Sequence, residues 1–338
     1  MNLLSYDRPT DRIRLLKAMD EEYSIQYLSP YSEFYKEFYN QQVYIIHCPE
    51  MDAWMPVRIF HSKIFRLGQI LFAPVSDQQE LAPKDQLIFF NKMLRFLRTN
   101  KICDRLIQPH PYAVLAALPP KVQFCEFGTY IIDLQNQTSE KILNKFHPKY
   151  QKAIAHSVKH RAKVIVHWDV FEDFYKIYEH TMHRVNQHKD PRSYFRIQGE
   201  CLGADHAVPA VVYDEDKPVG AAFFIYSKYA SYCTHAGSMG ETKLYGAMKL
   251  LHLEVIRFMK EKSVKRYDLV GVRIQNTDSS LEGIFRFKKG FGGNLKAGYL
   301  WKTNIHSFRG RLYSALIKIR NRGRNPFPDI IDQSYLIK

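Results

Sequence analysis

The sequence predicts an α/β fold of two tandem domains of one design, each a mixed sheet flanked by helices. Three observations carry that expectation. Segments of helical and strand periodicity follow one another through short polar connections, with no low-complexity stretch between them. Their order (helix, three strands, helix, strand) recurs after about 160 residues, although the letters do not repeat. Finally, 46% of the 338 residues are hydrophobic and 25% charged, which supplies a core for one large or two medium domains and excludes wholesale disorder.

The first set begins with Pro30 to Asn40, where Tyr31, Phe34, Tyr35 and Phe38 form an aromatic stripe at helical spacing. Strands are expected from Val43 (VYIIHC), Trp54 (WMPVRIF) and Ile64 (IFRLGQILF). A helix over Lys84 to Arg98 places Leu87, Phe90, Leu94 and Leu97 on one face, and a strand from Cys103 (CDRLIQP) closes the set.

In the second set Val170 to His188 reads as a helix. Strands follow from Ala207, Pro218 and Tyr229, the first two joined by turn residues at Asp214 to Lys217. A helix over Lys243 to Lys262 and a strand from Arg266 (RYDLVGV) complete it. These elements divide the chain into domains at residues 1–140 and 141–304, linked through a basic helix at Ser139 to Lys163. A last amphipathic helix, His306 to Arg320 within residues 305–338, carries Phe308, Leu312, Ala315, Leu316 and Ile319 on one side. Arg309, Arg311, Lys318 and Arg320 lie largely off that stripe. The stripe is expected to pack back on the first domain with its basic side in solvent; the other reading is a membrane surface.

Charge points to partners. Lys and Arg outnumber Asp and Glu by 49 to 34, which favours polyanions: nucleic acid, phosphorylated metabolites or anionic lipid. The excess is localised. Gly283 to Pro328 contains eleven Lys or Arg and no acid, and Lys141 to Trp168 contains seven with four histidines and again no acid. No apolar run is long enough to span a bilayer, and the start, with Asp7 and Asp11, lacks the apolar region of a signal peptide. Five cysteines without CxxC spacing read as reduced, mostly core thiols, so a cytoplasmic protein is expected. The positive charge leaves peripheral contact with the inner face of the membrane open.

Several chemistries are excluded by their missing motifs: GxxxxGK[ST], HExxH, GxSxG and a GxGxxG after a strand. His156 with His160, and His180, His183 and His188 near Glu179, are surrounded by Lys159, Arg161 and Arg184. Those cations would repel a metal ion, so no metal is expected. Gly237 to Gly240 (GSMG) lies between a strand and a helix, where backbone N–H groups can meet a phosphate or simply allow a tight turn.

The strongest local signal is FRFKKGFGG, Phe285 to Gly293. Ser280 is placed to cap a helix from Leu281, with Glu282 in its first turn. Gly290, Gly292 and Gly293 then turn the chain into NLKAGYLWKT. Lys288 and Lys289, beside Phe287, stand where helix meets glycine turn. That position suits a cation steadying an oxyanion or phosphate, and equally an ordinary helix C-terminus with lysines favoured by the dipole.

FGTYIIDL (Phe127 to Leu134), KFHPKYQKAIAHSVKHRAKV (Lys145 to Val164), FYKIYEHTMHR (Phe174 to Arg184) followed by Tyr194, YDLVGV (Tyr267 to Val272) and GIFRFKKGFGG (Gly283 to Gly293) occur in that order. This set, over roughly Phe127 to Lys302, resembles the Fem family, the bacterial peptidoglycan-bridge aminoacyltransferases that use aminoacyl-tRNA. The N-terminal third resembles the family in layout only; it lacks the tryptophan-containing segment and lysine that often hold the nucleotide-linked substrate. No long heptad run is present, so the chain is similar to compact members without a coiled-coil arm.

The resemblance implies two GNAT-like domains and transfer of an amino acid from charged tRNA to an amine of a nucleotide- or lipid-linked cell-wall precursor. It implies Lys288 at the oxyanion with Phe287 alongside, and Arg184 with Tyr194 at the acceptor's diphosphate. Asp268, at the end of a strand, is a candidate proton acceptor or a structural hydrogen-bond acceptor. Lys289 and Arg286 are further substrate-binding candidates. No cofactor beyond the aminoacyl-tRNA co-substrate is implied. The alternative is a GNAT-type acyltransferase using acyl-CoA on a surface-glycan precursor. The pyrophosphate loop such an enzyme needs is approached only by RIQGEC, Arg196 to Cys201, which precedes a strand. A non-catalytic RNA- or membrane-binding module on the same fold is the remaining reading.

Overall fold

Alternating and continuous apolar runs make the strands, and their pairing follows the internal repeat. The computed structural model describes residues 1–240, 244–274, 279–320 and 329–334. The first half contains β1 (Asn2–Ser5), α1 (Pro9–Ala18), α2 (Ser29–Tyr39), β2 (Gln42–Cys48), β3 (Ala53–Ser62), β4 (Phe65–Ile70), β5 (Val75–Ser76), β6 (Gln79–Glu80), α3 (Pro83–Thr99), β7 (Arg105–Leu106) and β8 (Gln123–Asp133). The second half contains α4 (Ser139–Asn144), α5 (Pro148–Lys159), β9 (Lys163–Val166), α6 (Phe171–Arg184), α7 (Arg192–Leu202), β10 (Ala207–Asp214), β11 (Lys217–Tyr226), β12 (Ser231–Ser238), α8 (Ala247–Glu261), β13 (Arg266–Asp268), β14 (Val272–Arg273), α9 (Ser279–Lys289) and β15 (Asn294–Asn304). Two helices follow, α10 (Ser307–Arg320) and α11 (Ile330–Ser334).

The main path of the sheet runs β1-β2-β3-β4-β7-β15-β8-β13-β12-β11-β10-β9. From either end the pattern is the same: antiparallel neighbours, one parallel pair, then a long central strand. The parallel pairs are β4 with β7 and β12 with β13. The closing strands are exchanged: β8 pairs with β13, while β15 reaches β7 through Thr303 and Asn304. β8 and β15 are joined along Gln123–Ile131 against Asn294–Lys302, which welds the halves together.

The core has two main layers. Residues Phe223 and Phe224 are adjacent in β11, fully buried, and belong to opposite layers. A strand covered on both faces needs this continuous apolar run. One layer extends into the first half, where Phe34 and Phe38 of α2 meet Tyr194 of α7 at 5.3 and 5.2 Å between ring centres. The other lies under α5, α8 and α9.

Four sequence expectations are corrected. The strand from Arg266 stops at Asp268, because Val270 and Gly271 adopt φ of 44° and 64°, outside strand geometry. The strand from Cys103 is reduced to Arg105–Leu106. The single basic helix is two helices, separated where the His147 side chain caps α5 and Pro148 occupies its first turn. The helix expected to reach His188 ends at Arg184. RIQGEC lies in α7, which precedes β10 as expected. Ser280, as a capping side chain, and Lys243, as a helix start, fall outside the described residues.

The orientation of α10 also differs from expectation. Its polar side faces the protein: the Arg309 Nε donates to Asp104 Oδ1 at 2.7 Å, Tyr313 packs on Phe65, and Ser314 accepts from Arg105 at 2.8 Å. The apolar stripe faces outward, with Phe308 67% and Ile319 62% exposed. Charged hydrogen bonds to the buried Asp104 and Arg105 hold the helix this way round.

Candidate active site at the β12–β13 splay

The parallel contact between β12 and β13 is short. Ser231 and Tyr232 pair with Tyr267 and Asp268, after which β12 continues and β13 turns away. The wedge so opened is bordered by the turn Leu269–Gly271. Asp268 Oδ1 accepts from the Val270 N–H at 2.7 Å and from the Thr129 hydroxyl of β8, so its own carboxylate pins the turn. Gly271 sits where a Cβ would come within 3.0 Å of the Phe127 ring, at a φ that L side chains rarely adopt.

Into this wedge comes Lys288 from the last turn of α9. Its Nζ donates to the carbonyl of Val270 and, at 2.8 Å, to that of Gly271. The helix reaches there because of the glycines behind it. Gly290 lies against the Tyr150 ring, where a Cβ would clash at 2.4 Å. Gly292, with φ of 67°, would bring a Cβ within 2.1 Å of the Lys145 carbonyl oxygen. Any side chain at either position would push α9 and the ammonium out of place.

The electrostatics are those of a dry, coupled site. Burial lowers the Lys288 pKa from the ordinary lysine value, opposed by Cys233 and Asp268. Burial raises that of Asp268, opposed by the Thr129 and Val270 hydrogen bonds and by Lys296 and Lys288. Cys233 is pushed up to about 12 by burial, against the pull of Lys288. His252, whose Nδ1 meets the Tyr267 hydroxyl at 2.6 Å, is lowered to about 3 by burial and the lysine's charge, and so stays neutral.

Asp268 also borders the inner end of a polar cleft between the halves. The space at Asp268 itself is about 10 Å³; the outer part, about 530 Å³, is lined by Glu80, Asp133, Arg266 and Lys296 among others, and by neither Asp268 nor Lys288. Lys296 pairs with Glu80 at 2.5 Å, one charge from each half. Tyr112 and Tyr232 close the inner end, their ring centres 5.2 Å apart. A larger cavity of about 800 Å³ lies near the other ends of β8 and β15 and is lined by none of the candidate residues. Its buried cations are engaged: Lys302 with Asp329 and Asp332, Arg105 with Asn304, Ser314 and Gln123. The cleft at Asp268 is therefore the better candidate for chemistry.

Of the residues singled out by sequence, Lys288 and Asp268 are brought together. Phe287 faces the second core layer, 5.1 Å from Phe291 and 5.8 Å from His252 between ring centres, behind the lysine. Arg286 is exposed and ion-paired with Glu282, and Lys289 is exposed. Arg184, also exposed, ends α6 and donates to the Ser238 carbonyl at the far end of β12, near Gly240. Tyr194 lies in the aromatic seam between the halves, 5.6 Å from His235 between ring centres.

Sequence reasoning missed the carbonyls of Val270 and Gly271, Thr129, Cys233 and the Glu80–Lys296 pair. One signal was available: an isolated glycine inside a strand pattern, Gly271, marks a bulge or close approach. Among the described residues no group of three or more His, Cys, Asp or Glu is arranged to hold a metal ion.

Residues 205–297, which contain β10 to α9 and the lysine, match the FemAB family. By structure the chain is similar to FemX, at 12% identity and a TM-score of 0.63, over 84% of this chain and 93% of that one. It is also similar to the C-terminal domain (DUF2156) of a putative lysylphosphatidylglycerol synthetase from Agrobacterium fabrum, at 12% identity and a TM-score of 0.51. That match covers 81% of this chain and 88% of the other. No curated protein matches by sequence. At such identities the structural likenesses speak to fold, and the sequence match speaks to the segment it covers. The chain thus carries a FemAB family domain, set in a mixed α/β fold that is shared with FemX.

Proposed function

We propose that the protein moves an aminoacyl group from charged tRNA to an amine of a cell-wall precursor peptide, carried on a nucleotide or a lipid. The carrying observation is the Lys288 ammonium, fixed by two carbonyls at the splay and next to Asp268. A lysine has three N–H donors. Two are spent on Val270 and Gly271, and the third serves the carbonyl oxygen of the aminoacyl ester as it gains charge. The acceptor amine forms a bond to that carbon, the ester C–O bond breaks, and the departing ribose hydroxyl takes up a proton. Asp268 receives the proton the amine loses; its burial makes it a stronger base than a surface carboxylate.

Family membership of residues 205–297 supports the donor class, and the net charge of +15 supports a phosphate-rich one. Arg184 suits an acceptor diphosphate, while Arg286 and Lys289, exposed at the end of α9, suit the tRNA backbone. Phe287 backs the lysine and Tyr194 seals the interface beside the acceptor side. The work belongs at the inner face of the membrane, where such precursors reside. Incubation with total charged tRNA and cell-wall precursors, followed by mass measurement, tests the proposal. A product heavier by one aminoacyl residue is expected; turnover with acyl-CoA in place of tRNA overturns it.

A further inference from the structure

We infer that the outward face of α10 is a docking surface for an anionic bilayer. With 100° per residue, Phe308, Leu312, Ala315, Leu316 and Ile319 fall within an arc of about 100° and form a stripe about three turns long. None of these five is covered. Leu312 and Leu316 are 39% and 45% exposed, and Ala315 is also exposed. The rest of the circumference, from Arg309 at the stripe's edge round through Tyr313 and Gly310 to Ser314, is packed on the protein, so turning the helix inward would break its hydrogen bonds to Asp104 and Arg105.

One further exposed apolar residue lies beside the helix. Ile64, at the tip of the β3–β4 hairpin, is 67% exposed, and its carbonyl accepts from Arg309. Lys63 and Arg66 flank it, both exposed, and Arg311 is exposed on α10 itself. The sequence supplies no acid between Gly283 and Pro328. An exposed apolar stripe with exposed cations beside it matches a surface of phosphate headgroups over acyl chains. The same charge opposes a second copy of this chain as the occupant, since two such faces would repel. Among the described residues no helix is long and apolar enough to cross a membrane, so the contact is peripheral.

This inference rests on the proposed function only for its purpose, since a lipid-linked acceptor would be met at that surface. The test is flotation of the full chain with vesicles of phosphatidylcholine alone, or with about a third phosphatidylglycerol, at physiological salt. Binding to the anionic vesicles only is expected. F308S/L312S/I319S should weaken it by roughly tenfold or more, because the buried apolar area is removed. These side chains are exposed, so the thermal midpoint should stay at the wild-type value. No flotation, or a triple variant that floats like wild type, overturns the inference. So does a wild-type dimer in solution that the triple substitution dissociates. Lys288→Ala should float normally, so loss of transfer and loss of docking are read separately.

Discussion

Lys288 donates through its ammonium to the carbonyl of Val270, a β-branched residue held at φ 44°. Valine in that region costs about 1–3 kcal/mol and persists only where its surroundings over-determine it. Here three bonds do so: two from the lysine to successive carbonyls, and one from the Val270 N–H to Asp268. The turn shapes the lysine's position, and the lysine holds the turn.

Removing the cation separates chemistry from scaffold. Lys288→Ala should lower the transfer rate on the order of 100- to 1000-fold, as loss of an oxyanion donor does. Lys288→Arg keeps a charge that cannot titrate. Because burial lowers the lysine's pKa, wild-type activity should fall on the alkaline side before the ordinary lysine range is reached, and the residual activity of the arginine variant should not. Rate against pH for the two proteins decides this; identical alkaline limbs would reject the role.

Asp268 and Asp104 should give opposite pH signatures in stability. The folded pKa of Asp268 lies above its unfolded value, so its contribution is present in acid and is lost as pH rises through the folded pKa. Asp268→Asn should remove that loss, seen as a thermal midpoint that no longer declines across the window. For Asp104, burial raises the pKa but the Arg309 bond and the Arg66 N–H outweigh it, leaving a net lowering. Its contribution is present above the unfolded carboxyl range and is lost as pH falls through the folded pKa. Asp104→Asn should therefore flatten the acid limb and loosen α10, measured as faster amide exchange in that helix.

The turn's backbone can be tested without touching a charge. Gly271→Ala, at φ 64° and against the Phe127 ring, should cost about 1–2 kcal/mol in unfolding free energy. Val270→Gly relieves strain while losing some packing, and should cost clearly less than a valine-to-glycine change in a regular strand. Denaturant unfolding gives the values; a Val270→Gly cost equal to that of Val164→Gly in β9 would mean the positive φ at Val270 carries no strain.

The glycine pair behind α9 makes a sharper case. Gly292→Ala would need to displace the Lys145 carbonyl, 2.1 Å from the new Cβ. An unfolding cost of more than about 2 kcal/mol is expected, together with a loss of transfer comparable to Lys288→Ala, because the ammonium moves with its helix. A stable variant with full activity would show that α9 is not positioned through this bend.

The elements were legible where local pattern decides them. The stripe of α2, the strands β2, β3, β10 and β11, and the helix α3 all lie within a residue or two of their expected places. The doubled order of elements was legible too, and the sheet path reads alike from both ends. What failed did so for non-local reasons. RYDLVGV has strand composition throughout, but a hydrogen bond from Val270 to Asp268 and the approach of Lys288, eighteen residues on, break it. The stripe of α10 was recognised and faced the wrong way, because a buried Asp104 from across the chain claims its polar side.

The sequence by itself determined the α/β class, the internal repeat, the concentration of positive charge and the presence of a lysine before a glycine bend. These follow from composition and spacing along one chain. Only the tertiary structure decided that β8 and β15 change places, that Lys288 meets a turn rather than solvent, and that Asp268 is its neighbour. Each of those is a contact between distant segments. Its energy depends on burial and on which carbonyl, carboxylate or ring is brought alongside, and no local pattern of letters records that.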